Sequence, residues 1–211
     1  MKIKQFSLKH IFYLFIASLL MVGCSSDDDS PEPPNEEASI EDSLFEDDAE
    51  GWTIVGDAQG GYIEASYSEE GGVIEGYIYA DDDVAGGVWY FSAPDDYLGD
   101  KNEYYGATLN YSLFQNSAMS DQFESEDIIF KSDEKQIFYL ISEYPTSDWT
   151  PYSIEIMDNG QWYYGSFDEN TIATEAQIKD VLSNVTEFWI RGEFESGSDD
   201  GGLDKVEIIE N

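Results

Sequence analysis

Carboxylates are the reactive groups this chain has in quantity: 46 Asp and Glu stand against nine Lys and Arg, with one histidine and one cysteine. Those two single residues, His10 and Cys24, both lie near the start. Beyond Cys24 there is no imidazole, and no free thiol once Cys24 is modified. That excludes Ser–His and Cys–His nucleophilic machinery and the usual nitrogen and sulfur zinc sites. A pair of carboxylates can still hydrolyse a glycosidic bond, but among so many acids no pair is singled out by closeness in sequence. A carboxylate forced against a core is more telling. In the last apolar alternation Val206 and Ile208 share one side, and period two puts Asp204 with them. Such a group is costly unless paired or metal-bound. Cationic side chains are scarce, so Ca²⁺, which favours carboxylate and carbonyl oxygens, is its natural partner. The loop clusters Asp81-Asp82-Asp83, Asp95-Asp96 and Asp199-Asp200-Gly201-Gly202 lack the D-x-D-x-D-G spacing of a calcium loop and read as solvated turns. Among aromatics, Trp162-Tyr163-Tyr164 cannot all face inward on a strand. At least one ring is expected at the surface, where it could stack on a sugar ring.

Charge narrows the partners. Three of the lysines precede Cys24 and no acidic residue does, so the remaining chain carries six basic residues against all 46 acidic ones. That surface repels phosphate backbones and anionic headgroups, which excludes nucleic acid as a partner. It attracts divalent cations and keeps an exported protein soluble. One cysteine means no structural disulfide, so the fold rests on its core.

The elements that would position these groups fall into three parts. Residues 1–24 read as an export signal: Lys2, Lys4 and Lys9 precede the apolar run Ile11 to Val22, which is too short to span a bilayer stably. The run ends in Met21-Val22-Gly23-Cys24, which resembles a bacterial lipobox, with Cys24 as the residue that becomes lipidated. Each buried CH₂ contributes about 0.8 kcal/mol, so several acyl chains anchor a protein stably where one does not. Residues 25–39, SSDDDSPEPPNEEAS, have no apolar periodicity and read as a disordered, self-repelling acidic and Pro-rich tether. Acidic residues directly after the lipidated cysteine resemble a signal for the outer face of the outer membrane.

Residues 40–211 form one domain of a size suited to a single core. Short alternating segments recur between Gly, Asp, Ser and Asn turns, among them Tyr62–Tyr67, Val73–Ala80, Thr108–Phe114 and Glu187–Phe194. About ten to twelve strands with almost no helix predict an all-β, antiparallel β-sandwich. Gln136–Ile141 is apolar on both faces and reads as a central strand. One short helix interrupts the pattern: Thr174 and Gln177 have capping-box spacing, and Ile178, Val181 and Leu182 share a face.

Two stretches say more. Trp89 to Leu113, WYFSAPDDYLGDKNEYYGATLNYSL, and Val181 to Phe194, VLSNVTEFWIRGEF, followed by Gly202-Leu203-Asp204-Lys205-Val206, resemble the corresponding ordered motifs of the laminin domain IV family. Ala107 stands where that family has a second glycine. The opening Phe45-Glu46-Asp47-Asp48-Ala49-Glu50-Gly51-Trp52 is similar to the start shared with carbohydrate-binding modules. The resemblance runs from about Phe45 to Ile208. It implies a β-jelly-roll and a non-catalytic extracellular module, not an enzyme. It also implies a structural Ca²⁺ between Glu46 and Asp204, with backbone oxygens of the Asp47–Gly51 loop completing the shell. Trp149, Tyr152 and Trp162 fall where the family has core aromatics. Arg191, the only arginine, matches the family's Ile-Arg-Gly and reads as a structural partner for carboxylates. The expected protein is a lipoprotein anchored in the outer membrane and exposed at the cell surface, binding or adhering to an extracellular ligand. The alternative is capture of a glycan for a polysaccharide-uptake system, with Trp162, Tyr163 and Tyr164 as the contact surface.

Overall fold

The computed structural model describes residues 39–58, 62–82, 87–117, 120–169 and 171–211. The export signal with Cys24 and the acidic tether to residue 38 lie outside them, as does Asp83.

Two antiparallel sheets face each other. The first contains β1 (Ser39–Ser43), β4 (Ser66–Ser68), β5 (Tyr77–Asp82), β7 (Thr108–Gln115), β10 (Thr150–Glu155) and β14 (Asp199–Ile209). Its order is β10-β7-β14-β5-β4, with β1 also on β14. The second contains β2 (Thr53–Val55), β3 (Ile63–Glu64), β6 (Tyr90–Ser92), β8 (Ile128–Ser132) and β9 (Lys135–Tyr139), together with β11 (Trp162–Tyr164), β12 (Thr171–Ile172) and β13 (Glu187–Arg191). Its order is β12-β11-β9-β8-β13-β6-β2-β3. The β-sandwich expected from alternation is the observed fold.

Period two explains why the core sits between the sheets. In β6 and its flanks Trp89, Phe91 and Ala93 point inward, and Pro94 then ends the pairing. β13 contributes Phe188 and Ile190, and β8 contributes Ile128 and Phe130. Phe130 stacks on Phe188 at 4.4 Å, while Trp52 meets Phe45, Tyr97 and Phe188 edge-on. Each such ring pair adds about 0.5–1.5 kcal/mol beyond its buried area. The Trp52 indole N–H, which would otherwise be stranded, donates to Ser43 at 3.0 Å. The loop from Asp95 to Gly106 forms two short 3₁₀ turns that turn Tyr97 and Tyr104 into the same core.

β9 does lie inside its sheet, between β8 and β11, and both its faces are buried: Ile137 joins the main core, Phe138 a smaller cluster outside. The helix α1 (Glu175–Leu182) has the expected capping box, with Thr174 and Gln177 satisfying each other's backbone amides. It packs on β8 and β9 through Ile178, Val181 and Leu182.

β14 departs from expectation. It is eleven residues long and changes neighbour along its length, pairing β5 through Leu203 and β1 from Val206 onward. At the change its register with β7 slips between Asp204 and Glu207, and Lys205 takes φ +52°. This β-bulge shifts the parity. Leu203, Val206 and Ile208 all face the core, whereas Asp204 pairs with Ser112 on the outward side. The expected inward Asp204 is therefore corrected: strict alternation fails where an extra residue is inserted.

Candidate binding face

The outward side of the first sheet carries an unusual concentration of rings. Tyr77 and Tyr79 alternate with the buried Ile78 and Ala80 on β5. Phe114 continues the outward row Thr108, Asn110 and Ser112 on β7. Trp149, just before β10, closes the group. Ring centroids lie 5.3 Å apart for Tyr77 and Trp149, 4.8 Å for Phe114 and Trp149, and 5.8 Å for Tyr77 and Tyr79. All four rings are half-buried. The floor beneath them is Gly202 of β14, where a Cβ would come within 2.1 Å of the Phe114 ring. Only a glycine lets that ring lie across the strand.

Along the same face the patch runs into a groove of about 410 Å³. Outward residues of three strands line it: Asn110 and Ser112, Pro151 and Ser153, Lys205 and Glu207. The loop 69–76 covers the other end. Trp149 donates its indole N–H to Gly71 O at 2.8 Å, and Val73 donates its amide to Asp204 Oδ2 at 2.6 Å. Ile74, at the tip, is 71 % exposed. Rings beside amide, hydroxyl and carboxylate groups make a surface that can stack on a flat ligand and read its polar edge.

The residues singled out from sequence fall elsewhere. Trp162 is 1 % exposed, packed on Phe130 and Tyr139, with its indole N–H on Glu155 O. It is a core residue and offers no contact surface, so that expectation is corrected for Trp162. Tyr163 is half-buried on the outer side of the second sheet, stacked on Phe138 at 5.2 Å. Val55, Tyr90, Ile129 and Trp189 belong to the same satellite cluster. Tyr164 points back with Trp162 and is half-buried against the main core. Trp149, by contrast, is not in the core. The signal that marks the other face was available: Tyr77, Tyr79 and Phe114 are aromatic at wet positions of alternating strands, where Ser, Thr and Asn are the norm.

Glu46 and Asp204 are not alike. Asp204 is 1 % exposed and accepts two amides, from Val73 on Oδ2 and from Lys205 on Oδ1 at 2.7 Å. Burial raises its carboxyl above the ordinary range while those amides pull it down. The Glu46 side chain is exposed, and its carbonyl oxygen accepts from Tyr67. The donors gathered around Asp204 are those of a hydrogen-bonded carboxylate.

Two facing antiparallel sheets with one short helix define a β-sandwich domain of the kind seen in carbohydrate-binding modules. The family model described as Laminin B (Domain IV) matches residues 90–209, more than half of the chain, and the chain belongs to that family. The L4b domain of human laminin alpha-2 superposes with a TM-score of 0.61 at 14% identity, over 81% of this chain and 98% of that one. The family 11 carbohydrate-binding module of the Clostridium thermocellum cellulase Lic26A-Cel5E gives 0.50 at 14% identity, over 82% and 97%. An exo-beta-agarase gives 0.53 at 11% identity, with 82% of this chain covering 25% of the enzyme. The search of curated proteins found no match.

Proposed function

We propose that this chain is a bacterial lipoprotein, held in the outer membrane through Cys24, whose domain is a non-catalytic binding module displayed at the cell surface. The outward face of the first sheet takes the ligand, and a neutral glycan fits it best. The observation that carries this reading is the ring group Tyr77, Tyr79, Phe114 and Trp149 opening into a groove of neutral and mixed-charge polar residues. Aromatic faces stack on pyranose rings, and Asn110, Ser112, Ser153 and Glu207 offer donors and acceptors for hydroxyls. The charge of −37 disfavours anionic polysaccharides. Membership of the laminin family supports a non-catalytic role, as does the lack of histidine and further cysteine after Cys24.

Affinity electrophoresis of the full chain through gels containing neutral polysaccharides tests it. Retardation should be seen, and Tyr77→Ala or Tyr79→Ala should weaken it roughly tenfold, the equivalent of about 1.4 kcal/mol. Unchanged mobility on every neutral glycan, or retardation indifferent to both substitutions, rejects the glycan reading. The adhesion reading, with a protein ligand, is favoured by the exposed Ile74 at the edge of the same face; a protein ligand lost with Ile74→Asp would select it. Anchoring is tested separately, since Cys24→Ser should release the chain from the membrane fraction.

A further inference from the structure

At one end of the sandwich, three acidic side chains from distant parts of the chain converge. Gly56 turns the chain after β2 with φ +103°, in a place where a Cβ would meet Val88 O at 2.3 Å. That turn delivers Asp57, whose Oδ2 accepts the amide of Gly87 at 2.5 Å. β5 ends on Asp82, buried and paired in register with Asp199. Beyond β13 comes Gly192, which lies flat under the Trp89 ring because a Cβ there would stand 1.9 Å from it. Glu193 follows and points at the other two. One carboxyl oxygen from each of Asp57, Asp82 and Glu193 lies within 4.8 Å of the rest.

Closeness of acids alone is repulsion, and the second observation lies in Glu193 itself. It is 1 % exposed, and its Oε2 is buried with no hydrogen-bond partner. Oδ1 of Asp57 is buried and lacks one as well. A buried carboxylate oxygen that receives no donor is strongly unfavourable unless a proton or a cation neutralises it. The cation that acts on Glu193, Arg191, turns its two terminal nitrogens to Asp127 and to Phe123 O, while its Nε is buried without a partner. Asp199 stands behind the group but is satisfied, accepting from Trp89, Gln115 and Phe194. Among the described residues no ion pair reaches Glu193 or Asp57, so the buried oxygens of these two side chains have no cation on them.

We propose that Asp57, Asp82 and Glu193 bind a divalent cation, Ca²⁺. Two oxygens on opposite sides of one Ca²⁺ stand about 4.6–5.2 Å apart, so an arrangement of three within 4.8 Å closes around a single ion. An all-oxygen donor set suits a hard cation rather than zinc or copper. A pocket of about 350 Å³, lined by Glu193, Gly87, Val88, Phe123 and Ser196, gives the ion a way in and room for the waters that complete a six- to eight-oxygen shell. Burial among its acidic neighbours holds the Glu193 carboxyl up at about 8, so proton and cation compete for one place. The cation would tie the ends of β2 and β5 to the segment after β13, joining the two sheets across one rim.

The test is titration of the full chain, stripped with EDTA, by Ca²⁺ in a calorimeter. Tb³⁺ serves as a second probe, with emission sensitised through Trp89, whose indole bonds Asp199 beside the site. Wild type should take up Ca²⁺ and show Tb³⁺ emission. Glu193→Gln and Asp57→Asn should each weaken uptake roughly 100-fold, since each takes a negative charge from the oxygens on the ion. Asp204→Asn should bind as wild type does. Circular dichroism checks folding; were Glu193→Gln unfolded, Asp57→Asn, at the half-buried rim, carries the comparison. The proposal is overturned by wild type that takes up no Ca²⁺, by undiminished uptake in the two ligand variants, or by uptake lost through Asp204→Asn alone.

Discussion

Arg191 and Glu193 are two residues apart, both buried to within 1 % of full, and their surroundings are opposite. Arg191 donates to Asp127 at 3.2 Å and to Phe123 O at 2.9 Å, and its guanidinium lies 4.6 Å from the Phe123 and Phe194 rings. Asp127 is completed by the amide of Ile141 on its other oxygen. Around Glu193 there is nothing of the kind: it faces Asp57, Asp82 and Asp199. The carboxyl pKa values follow. Burial raises Asp127 only to about 6 because Arg191 and Ile141 hold it down, whereas burial and three acidic neighbours lift Glu193 to about 8. A buried carboxylate belongs to the fold when its counter-charge is built in. One without a counter-charge waits for a proton or an ion.

The comparison breaks most violently at Arg191. Arg191→Met keeps much of the volume but leaves Asp127 buried and unpaired, a change that costs about 3–5 kcal/mol. For a domain of this size each kcal/mol lowers Tm by roughly 2–4 °C, so a fall of about 10 °C is expected in a thermal melt. Pairing that change with Asp127→Asn should recover a large part of the loss. A double variant no better than the single one would mean that ring packing, not charge, is what Arg191 supplies.

Glu193 should behave in the reverse sense when metal is chelated. Its folded pKa lies above the ordinary 4.5, so the folded state holds a proton that the unfolded chain gives up. Stability from that proton is complete below about pH 4.5 and is lost as pH rises towards 8. The groups that face it are Asp57, Asp82 and Asp199, with Arg191 opposing them. Asp127 adds a smaller loss of the same sign between about 3.8 and 6. In EDTA, therefore, Tm should decline from pH 5 to pH 8, and Glu193→Gln should remove most of the decline above pH 6. Identical pH profiles for the two proteins would show that Glu193 is ionised and accommodated without help.

These two sites also mark what could be read before the fold was seen. Strand alternation is local, so the sandwich, the central β9 and the capped helix were all legible in the chain. Arg191 stood out as the only arginine, and its role as a carboxylate partner followed. Asp127 could not be named, because nothing in sequence distinguishes it from 45 other acids. Asp57, Asp82 and Glu193 meet only through the order of the sheets, and no spacing encodes that. Asp204 was misplaced for a different reason. A single positive-φ residue, Lys205, resets the strand's parity, and non-glycine bulges leave little trace in composition. Trp149, expected in the core, lies on the outward face, and Trp162, offered as a contact residue, is buried, since facing depends on which side of each sheet is covered.

The smallest expected effect sharpens the comparison by removing burial from it. Lys135 and Asp180 form an ion pair at 2.6 Å, shorter than that of Arg191 and Asp127, yet their side chains are 48% and 51% exposed. Water already solvates both charges, and holding two long side chains in one geometry loses entropy that the attraction barely offsets. Lys135→Ala should therefore move Tm by no more than about 1–2 °C, and less again in high salt, where exposed charges are screened. Distance alone would rank this pair above Arg191 and Asp127. If the melt did the same, desolvation would not be what separates the buried sites, and the contrast between Arg191 and Glu193 would need another cause.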